Sequence, residues 1–270
     1  MAPGLRTRWT ADRGRALAQT WAGVATILVL AELASRTEVL PSQYFPPVSQ
    51  IFVTLVGQLG EGAFWVAVGN TLQGWALGLG IAGGLGIPVG IILGTSRLRY
   101  RAFRVIVEFL RPIPSVALIP LAILIYGVGL ESKVFLAAFA AFWPVMIQSL
   151  YGMQDVDPLA LETARVFKLR RTERLTRVIL PSAVPYVATG LRISSAVSLI
   201  LAVTAELVIG SPGLGREINE ARIGTATELM YALTIATGLL GWVLNSLFTR
   251  VERRVLHWHP SQRTVEGGAL

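Results

Sequence analysis

The sequence predicts an all-α, polytopic membrane protein with about six transmembrane helices. Three observations carry this expectation. Of the 270 residues, 53% are hydrophobic and only 15% charged, whereas a soluble chain of this size carries about a quarter charged residues. The apolar residues are gathered into runs long enough to cross a bilayer, and the arginines cluster between those runs, the asymmetry that orients a membrane protein. The net charge of +8 therefore belongs to loops on one side of a membrane, and no basic face interleaved with aromatics suits nucleic acid. With no cysteine, the chain has no disulfide framework, thiolate metal site or thiol nucleophile.

Residues 1–15 form a polar head with Arg6, Arg8, Arg13 and Arg15, expected as a cytosolic tail. Ala16 to Ala34 is the first apolar run. A basic head before such a run also fits a cleaved secretory signal, with Val29-Leu30-Ala31 as the cleavage-like site. The preferred reading is an uncleaved span, because the run is almost long enough to cross. Leu40 to Glu61 carries Pro41, Pro46 and Pro47, and no Lys or Arg occurs from Thr37 to Ser96. This is read as an outer loop with an interfacial helix at Val48 to Leu59.

Phe64 to Leu93 is apolar and rich in glycine, a composition that lets helix backbones approach closely in lipid. Arg97, Arg99, Arg101 and Arg104 mark a cytosolic loop, and Glu108 and Arg111 stand one turn apart, placed to pair. Arg111-Pro112-Ile113-Pro114-Ser115 interrupts the next span, which runs to about Gly127 with Pro120 inside it. Proline at membrane depth leaves carbonyls that need protein or water nearby. Pro112, Pro114 and Pro120 are therefore candidates for lining a pathway. Glu131-Ser132-Lys133 is expected as a short outer turn, and Val134 to Leu150 crosses back with a kink at Trp143-Pro144.

Val187 to Ile209 forms the next span, with Arg192 near its inner end and Glu206 near its outer end. The two are roughly 20 Å apart along a helix and cannot pair. Arg192 is expected to snorkel to the inner surface. Two readings of Glu206 stand side by side, a solvated interfacial carboxylate or a pathway and gate residue. Ser211 to Gly215 reads as an outer turn, and Glu228 to Phe248 as a last span ending in Arg250, Arg253 and Arg254 on the inside. In the tail, His257 and His259 flank Trp258 without carboxylate neighbours, which favours a solvated tail over a metal site. The organisation is thus a tail at 1–15, a membrane domain at 16–258 and a tail at 259–270, with both termini cytosolic.

The longest charged island runs from Asp155 to Pro185. Asp157-Pro158 is a helix opening, an N-capping aspartate followed by proline where no amide bond is lost. Leu161, Ala164, Val166 and Phe167 give that helix an apolar side, and Lys168, Arg170, Arg171, Arg174 and Arg177 surround it with positive charge. A second short helix is expected from about Thr172 to Leu180, stopped by Pro181.

Within the island, Glu162-Thr163-Ala164, then Lys168, then Val178-Ile179-Leu180-Pro181 resemble the cytoplasmic "EAA" loop of permease subunits of ATP-driven (ABC) importers. That loop reads Glu-Ala-Ala, three residues, Gly, nine residues, Ile, any residue, Leu-Pro. Gly127-Val128-Gly129 with Ser132-Lys133, Gly190-Leu191-Arg192, Ala205-Glu206-Leu207 and Gly213-Leu214-Gly215 extend the resemblance to the nitrate, sulfonate and taurine branch, over roughly Pro47 to Trp258. The resemblance implies the type I ABC importer transmembrane fold. It places Glu162, Thr163, Ala164 and Phe167 on a coupling helix that docks into a cytosolic ATPase dimer, with Leu180-Pro181 closing the loop behind it.

The resemblance further implies a second permease copy in a homodimer, a periplasmic or lipid-anchored solute-binding protein and a bacterial inner-membrane location. ATP and Mg would be bound by the ATPase, the permease itself holding no cofactor or metal and contacting only protein and membrane lipid. Three positions depart from the pattern: Thr163 for alanine, Val178 for isoleucine and Lys168 for glycine. If that last site needs positive φ, lysine there costs about 1 kcal/mol; the loop could instead turn differently. The branch implies small, often anionic solutes such as sulfonates, taurine, nitrate or bicarbonate, and it also contains importers of pyrimidine precursors and aromatic acids.

No GxxxxGK[ST] loop is present, so energy has to arrive through the coupling loop. A secondary transporter would need internal repeats and more buried carboxylates. An intramembrane enzyme would need a convergent nucleophile, acid pair or metal site within the spans. An exporter permease would work without a binding protein.

Overall fold

The computed structural model describes residues 4–256, entirely helical in its regular structure; His257 and His259 lie outside the described residues. Helix α1 covers Gly4–Arg36, α2 Val48–Gln58 and α3 Gly62–Gly94; α4, Arg97–Leu110, is followed by a 3₁₀ turn at Ser115–Leu118 and α5 at Ile119–Tyr126. Then come α6, Leu130–Gln154, α7, Pro158–Val166, α8, Arg171–Arg174, and, after a π turn at Leu175–Ile179, α9, Leu180–Ile209. α10, Leu214–Ile223, and α11, Thr227–Val255, complete the chain.

Four helical segments are long and apolar enough to cross a membrane: α3, α6, the continuous rod from Arg171 to Ile209, and α11. The pair α4 and Ser115–Tyr126, bent by 79°, makes a fifth if counted as one span. About six were expected. The sixth expected span, Ala16 to Ala34, lies in α1, and its first residues fall outside those whose side chains are described. Near Arg36, α1 is tied to the start of α2 through Glu32, which accepts from the Ser49 amide at 3.0 Å and hydroxyl at 2.8 Å. Trp21, Ile27 and Leu30 stay exposed on it.

α6 is the axis of the bundle, with α3 and α9 packed along it. The glycines of α3 allow the first contact: a Cβ at Gly90 would lie 2.4 Å from the Met146 carbonyl oxygen. Leu93 of α3 joins Met146 and Leu150 there in a buried cluster. α5 packs on the same axis through Ile119 and Ala122 against Leu136, Ala205 and Ile209. At the arginine-poor end, α2 is no mere surface helix, because Ile51 and Leu55 are buried with Leu214, Ala232, Leu233 and Ala236.

Four expectations are corrected. Arg97 to Arg104 is not a loop but the first part of α4, with Ser96 as N-cap. Glu108 pairs with Arg104 at 2.6 Å, not with Arg111: within one helix the i,i+4 carboxylate lies on the arginine's own stripe. Pro120 is the second residue of α5, not an interruption within a span, and costs no hydrogen bond there. Arg192 gains a partner the sequence alone did not offer, Glu252 of α11 at 3.1 Å. Finally, no helix stops at Leu180. The π turn before Pro181 shifts the backbone ladder away from the four-residue bond whose carbonyl its ring would strike, and the helix continues for 30 residues from Leu180.

Candidate functional site

Two polar constellations stand at opposite ends of the bundle. The first is α7 with the turn after it. The Asp157 side chain caps the helix by accepting from the Leu159 amide at 2.9 Å, and Pro158 occupies its first position. Its far end closes with two backbone bonds, Lys168 N to Arg165 O at 2.9 Å and Leu169 N to Ala164 O at 3.0 Å. This is the Schellman pattern, in which the residue after the cap takes left-handed geometry. Lys168 holds that place with φ of 55°. The loop therefore turns as a glycine would turn it, although the residue is lysine.

α7 has two faces. Ala164 is buried and Leu161 half-buried, toward the chain. Leu159, Glu162, Thr163, Val166 and Phe167 recur at spacings of three and four, so they share the opposite face, and all five are exposed. Leu159, Val166 and Phe167 are 69%, 78% and 75% exposed. Val178 and Leu180 are half-buried and Pro181 exposed. Val178 and Pro181 line an open cavity of about 760 Å³ with Asp155, Asp157, Arg177 and Tyr186. Across it the Tyr186 hydroxyl donates to Asp155, bridging α9 to the segment that enters α7. Pro112 and Pro114 lie in the α4–α5 bend, exposed, as is Pro120.

The second constellation is buried. Glu206, fully inaccessible near the end of α9, accepts from the Lys133 ammonium at 2.9 Å. Thr71 of α3 donates to its other oxygen at 2.9 Å and the Gly215 amide of α10 at 3.0 Å. Lys133 completes its three donations at the carbonyls of Asn70 and Pro212, each at 2.9 Å. Thr71 in turn accepts from the Leu214 amide at 2.9 Å. The knot thus joins α3, α6, α9, α10 and the turn before α10. Gly213 is obligatory in it, since a Cβ there would fall 2.1 Å from the Glu206 carboxyl carbon.

Glu206 is therefore not a solvated interfacial carboxylate, and Glu131 to Lys133 is not an outer turn but the start of α6. Ser132 is buried as well, and its hydroxyl donates to the carbonyls of Ala122 and Gly127, which fixes the turn between α5 and α6. Lys133 and Thr71 were not among the predicted site residues. A partial signal was available: a carboxylate at membrane depth needs a cation, and Lys133 is one of the few basic residues at that end of the bundle, with Arg216 and Arg222.

Residues 86–257 match the family described as the inner membrane component of binding-protein-dependent transport systems. A nitrate import permease protein of Leptolyngbya laminosa is 34% identical over 197 residues, 73% of this chain and 70% of that protein. The taurine transport system permease protein of Escherichia coli (strain K12) is 29% identical over 94% of both chains. A putative aliphatic sulfonates transport permease protein of Bacillus subtilis (strain 168) is 30% identical over 88% of this chain and 86% of its own length. Among solved structures, an inward-facing methionine ABC transporter chain superposes with a TM-score of 0.63 at 21% identity, covering 73% of this chain and 99% of that one. The all-helical bundle is thus the fold of an ABC importer's transmembrane subunit. With a family match across most of the bundle and the polar loop in its place between two spans, this chain belongs to the inner-membrane permease components of binding-protein-dependent transport systems.

Proposed function

We propose that the chain moves a small organosulfonate or inorganic oxyanion inward, driven by a separate ATPase that grips the exposed face of α7. The observation that carries the coupling assignment is that face. Three large apolar side chains and the carboxylate of Glu162 lie on one side of a short, well-capped helix, uncovered by any described part of the chain. An amphipathic helix presented in this way fits a groove in a partner. The cargo class rests on the relatives named for taurine, aliphatic sulfonates and nitrate.

In this reading two copies form the pathway, a solute-binding protein delivers cargo, ATP and Mg are bound by the ATPase, and both termini face the cytosol of a bacterial cell. α7 transmits motion at two points. Ala164 seats it on its own chain, and the Tyr186–Asp155 bridge links its entry to α9, so displacement of α7 displaces the long rod from Arg171 to Ile209. Pro112, Pro114 and Pro120, at the bend beside that rod, are candidates for lining the route. Glu206 holds the other end of the same rod and would act as a fixed pivot.

The test is reconstitution of the chain with its ATPase and binding protein in proteoliposomes, against taurine, alkanesulfonates, nitrate and bicarbonate. ATP-dependent uptake of one of these, abolished by V166D combined with F167A while the chain still inserts, is the expected result. Uptake that proceeds without ATP sinks the coupling assignment, and ATP-dependent uptake confined to solutes that carry neither a sulfonate nor an oxyanion group sinks the cargo class.

A further inference from the structure

Helix α4 is the other element whose side chains find little cover. None of its 14 residues is buried. Tyr100 and Val107 alone lean on the cluster of Leu93, Met146 and Leu150, so one edge of the helix touches the bundle. At 100° per residue, Arg97, Arg101, Arg104 and Glu108 fall on one narrow stripe, and Leu98, Val105 and Phe109 on the edge away from the bundle. Those three are 78%, 73% and 72% exposed. The helix is also turned 79° from the segment Ser115–Tyr126. If that segment runs along the membrane normal, α4 lies near the membrane plane.

The charge on this helix is one-sided. Arg97, Arg99, Arg101 and Arg104 face a single acidic residue, Glu108, and Arg111 follows at the C-cap. One arginine is engaged by Glu108 at 2.6 Å, and Arg99 donates to the Thr95 hydroxyl at 2.6 Å; Arg97 and Arg101 remain exposed. In that orientation, a basic stripe beside an apolar edge is the pattern of an interfacial helix that sits among acyl chains and collects anionic headgroups. A second copy of the chain would present the same arginines and so repel this stripe, which favours lipid as its cover.

We infer that α4 is an anionic-phospholipid site, with Arg97 and Arg101 holding headgroup phosphates, Arg104 adding its charge beside them from its pair with Glu108, and Leu98, Val105 and Phe109 resting on acyl chains. The site is independent of cargo and of ATPase docking, and it gives the α4–α5 bend a lipid-sensitive hinge partner.

The absence of native cysteine makes the test clean. The full chain carrying V105C with a fluorophore is placed in nanodiscs of phosphatidylcholine and phosphatidylglycerol in which one or the other lipid is brominated in its acyl chains. Quenching by brominated phosphatidylglycerol is expected to exceed that by brominated phosphatidylcholine at equal mole fraction by roughly fivefold, the scale set by arginines near an anionic surface. The R97Q/R101Q/R104Q triple should bring the two to parity, and the R97K/R101K/R104K triple, which keeps the charge, should keep the preference. Equal quenching in the otherwise native chain overturns the proposal. So does a label that neither lipid quenches but that lies against the same label of another copy, which would assign the edge to a second permease.

Discussion

The two ends of this bundle treat polar groups in opposite ways. In the knot around Glu206 every donor of Lys133 is used, both carboxylate oxygens are engaged, and water has no access. On α7 the polar and apolar side chains of one face are left uncovered, although the helix beneath them is capped at both ends. A buried charge is tolerated only when its partners are complete, so the knot is architecture that holds five segments in register. An exposed apolar face on a rigid helix is a free-energy source not yet used, as the proposed docking of an ATPase requires. The same chain therefore presents a closed end whose buried charges are all engaged and an open end whose apolar side chains it does not itself cover.

Breaking the closed end should have the largest effect. Glu206→Ala strands the Lys133 ammonium in a dry site, and removal of one partner of a buried pair costs about 3–5 kcal/mol. A strong fall in folded yield and thermal stability of the detergent-solubilised chain is expected, with partial recovery in the K133M/E206M double variant. If Glu206→Ala leaves the melting temperature unmoved, the knot does not hold the bundle. Gly213→Ala should come next. Its Cβ would collide with the same carboxyl group, and overpacking of this kind costs about 1–3 kcal/mol, read in the same melt.

The open end should respond in the other currency, activity without stability. V166D with F167A changes surface positions that touch little of the chain, so its melting temperature should stay within the roughly 0.5 kcal/mol expected of surface changes. ATP-coupled uptake should fall at least about tenfold, as at the centre of a docking interface. A matching loss of stability would blur the distinction between the two ends. The smallest effect belongs to Lys168→Gly. Relief of a left-handed lysine should raise stability by about 1 kcal/mol or less, visible as a small upward shift of the melt with docking intact.

Much of the fold was legible because membrane sequence is unusually explicit. Apolar run length located α3, α6, α9 and α11, and Asp157-Pro158 marked the start of α7 within one residue. Local rules mislead where two of them compete. Pro181 signals a stop because proline usually disfavours the helix before it, yet the π turn absorbs it and yields one long rod. The charge of Arg97 to Arg104 signals a loop and masks the helical apolar edge of Leu98, Val105 and Phe109. Glu131 to Lys133 signals a turn because charge at the end of a span normally meets water, whereas the structure starts α6 there.

Composition, arginine placement and the spacing of Glu162, Lys168 and Leu180-Pro181 were enough to point to a membrane permease with a short capped helix between two spans, because hydropathy and capping act between residues close in the chain. The pairing of Lys133 with Glu206, 73 positions apart, the seating of Gly213 against that carboxylate and the left-handed turn at Lys168 came only with the packed bundle. Each depends on which helices lie side by side, and a charge at membrane depth discloses its partner only when packing brings that partner within hydrogen-bond reach.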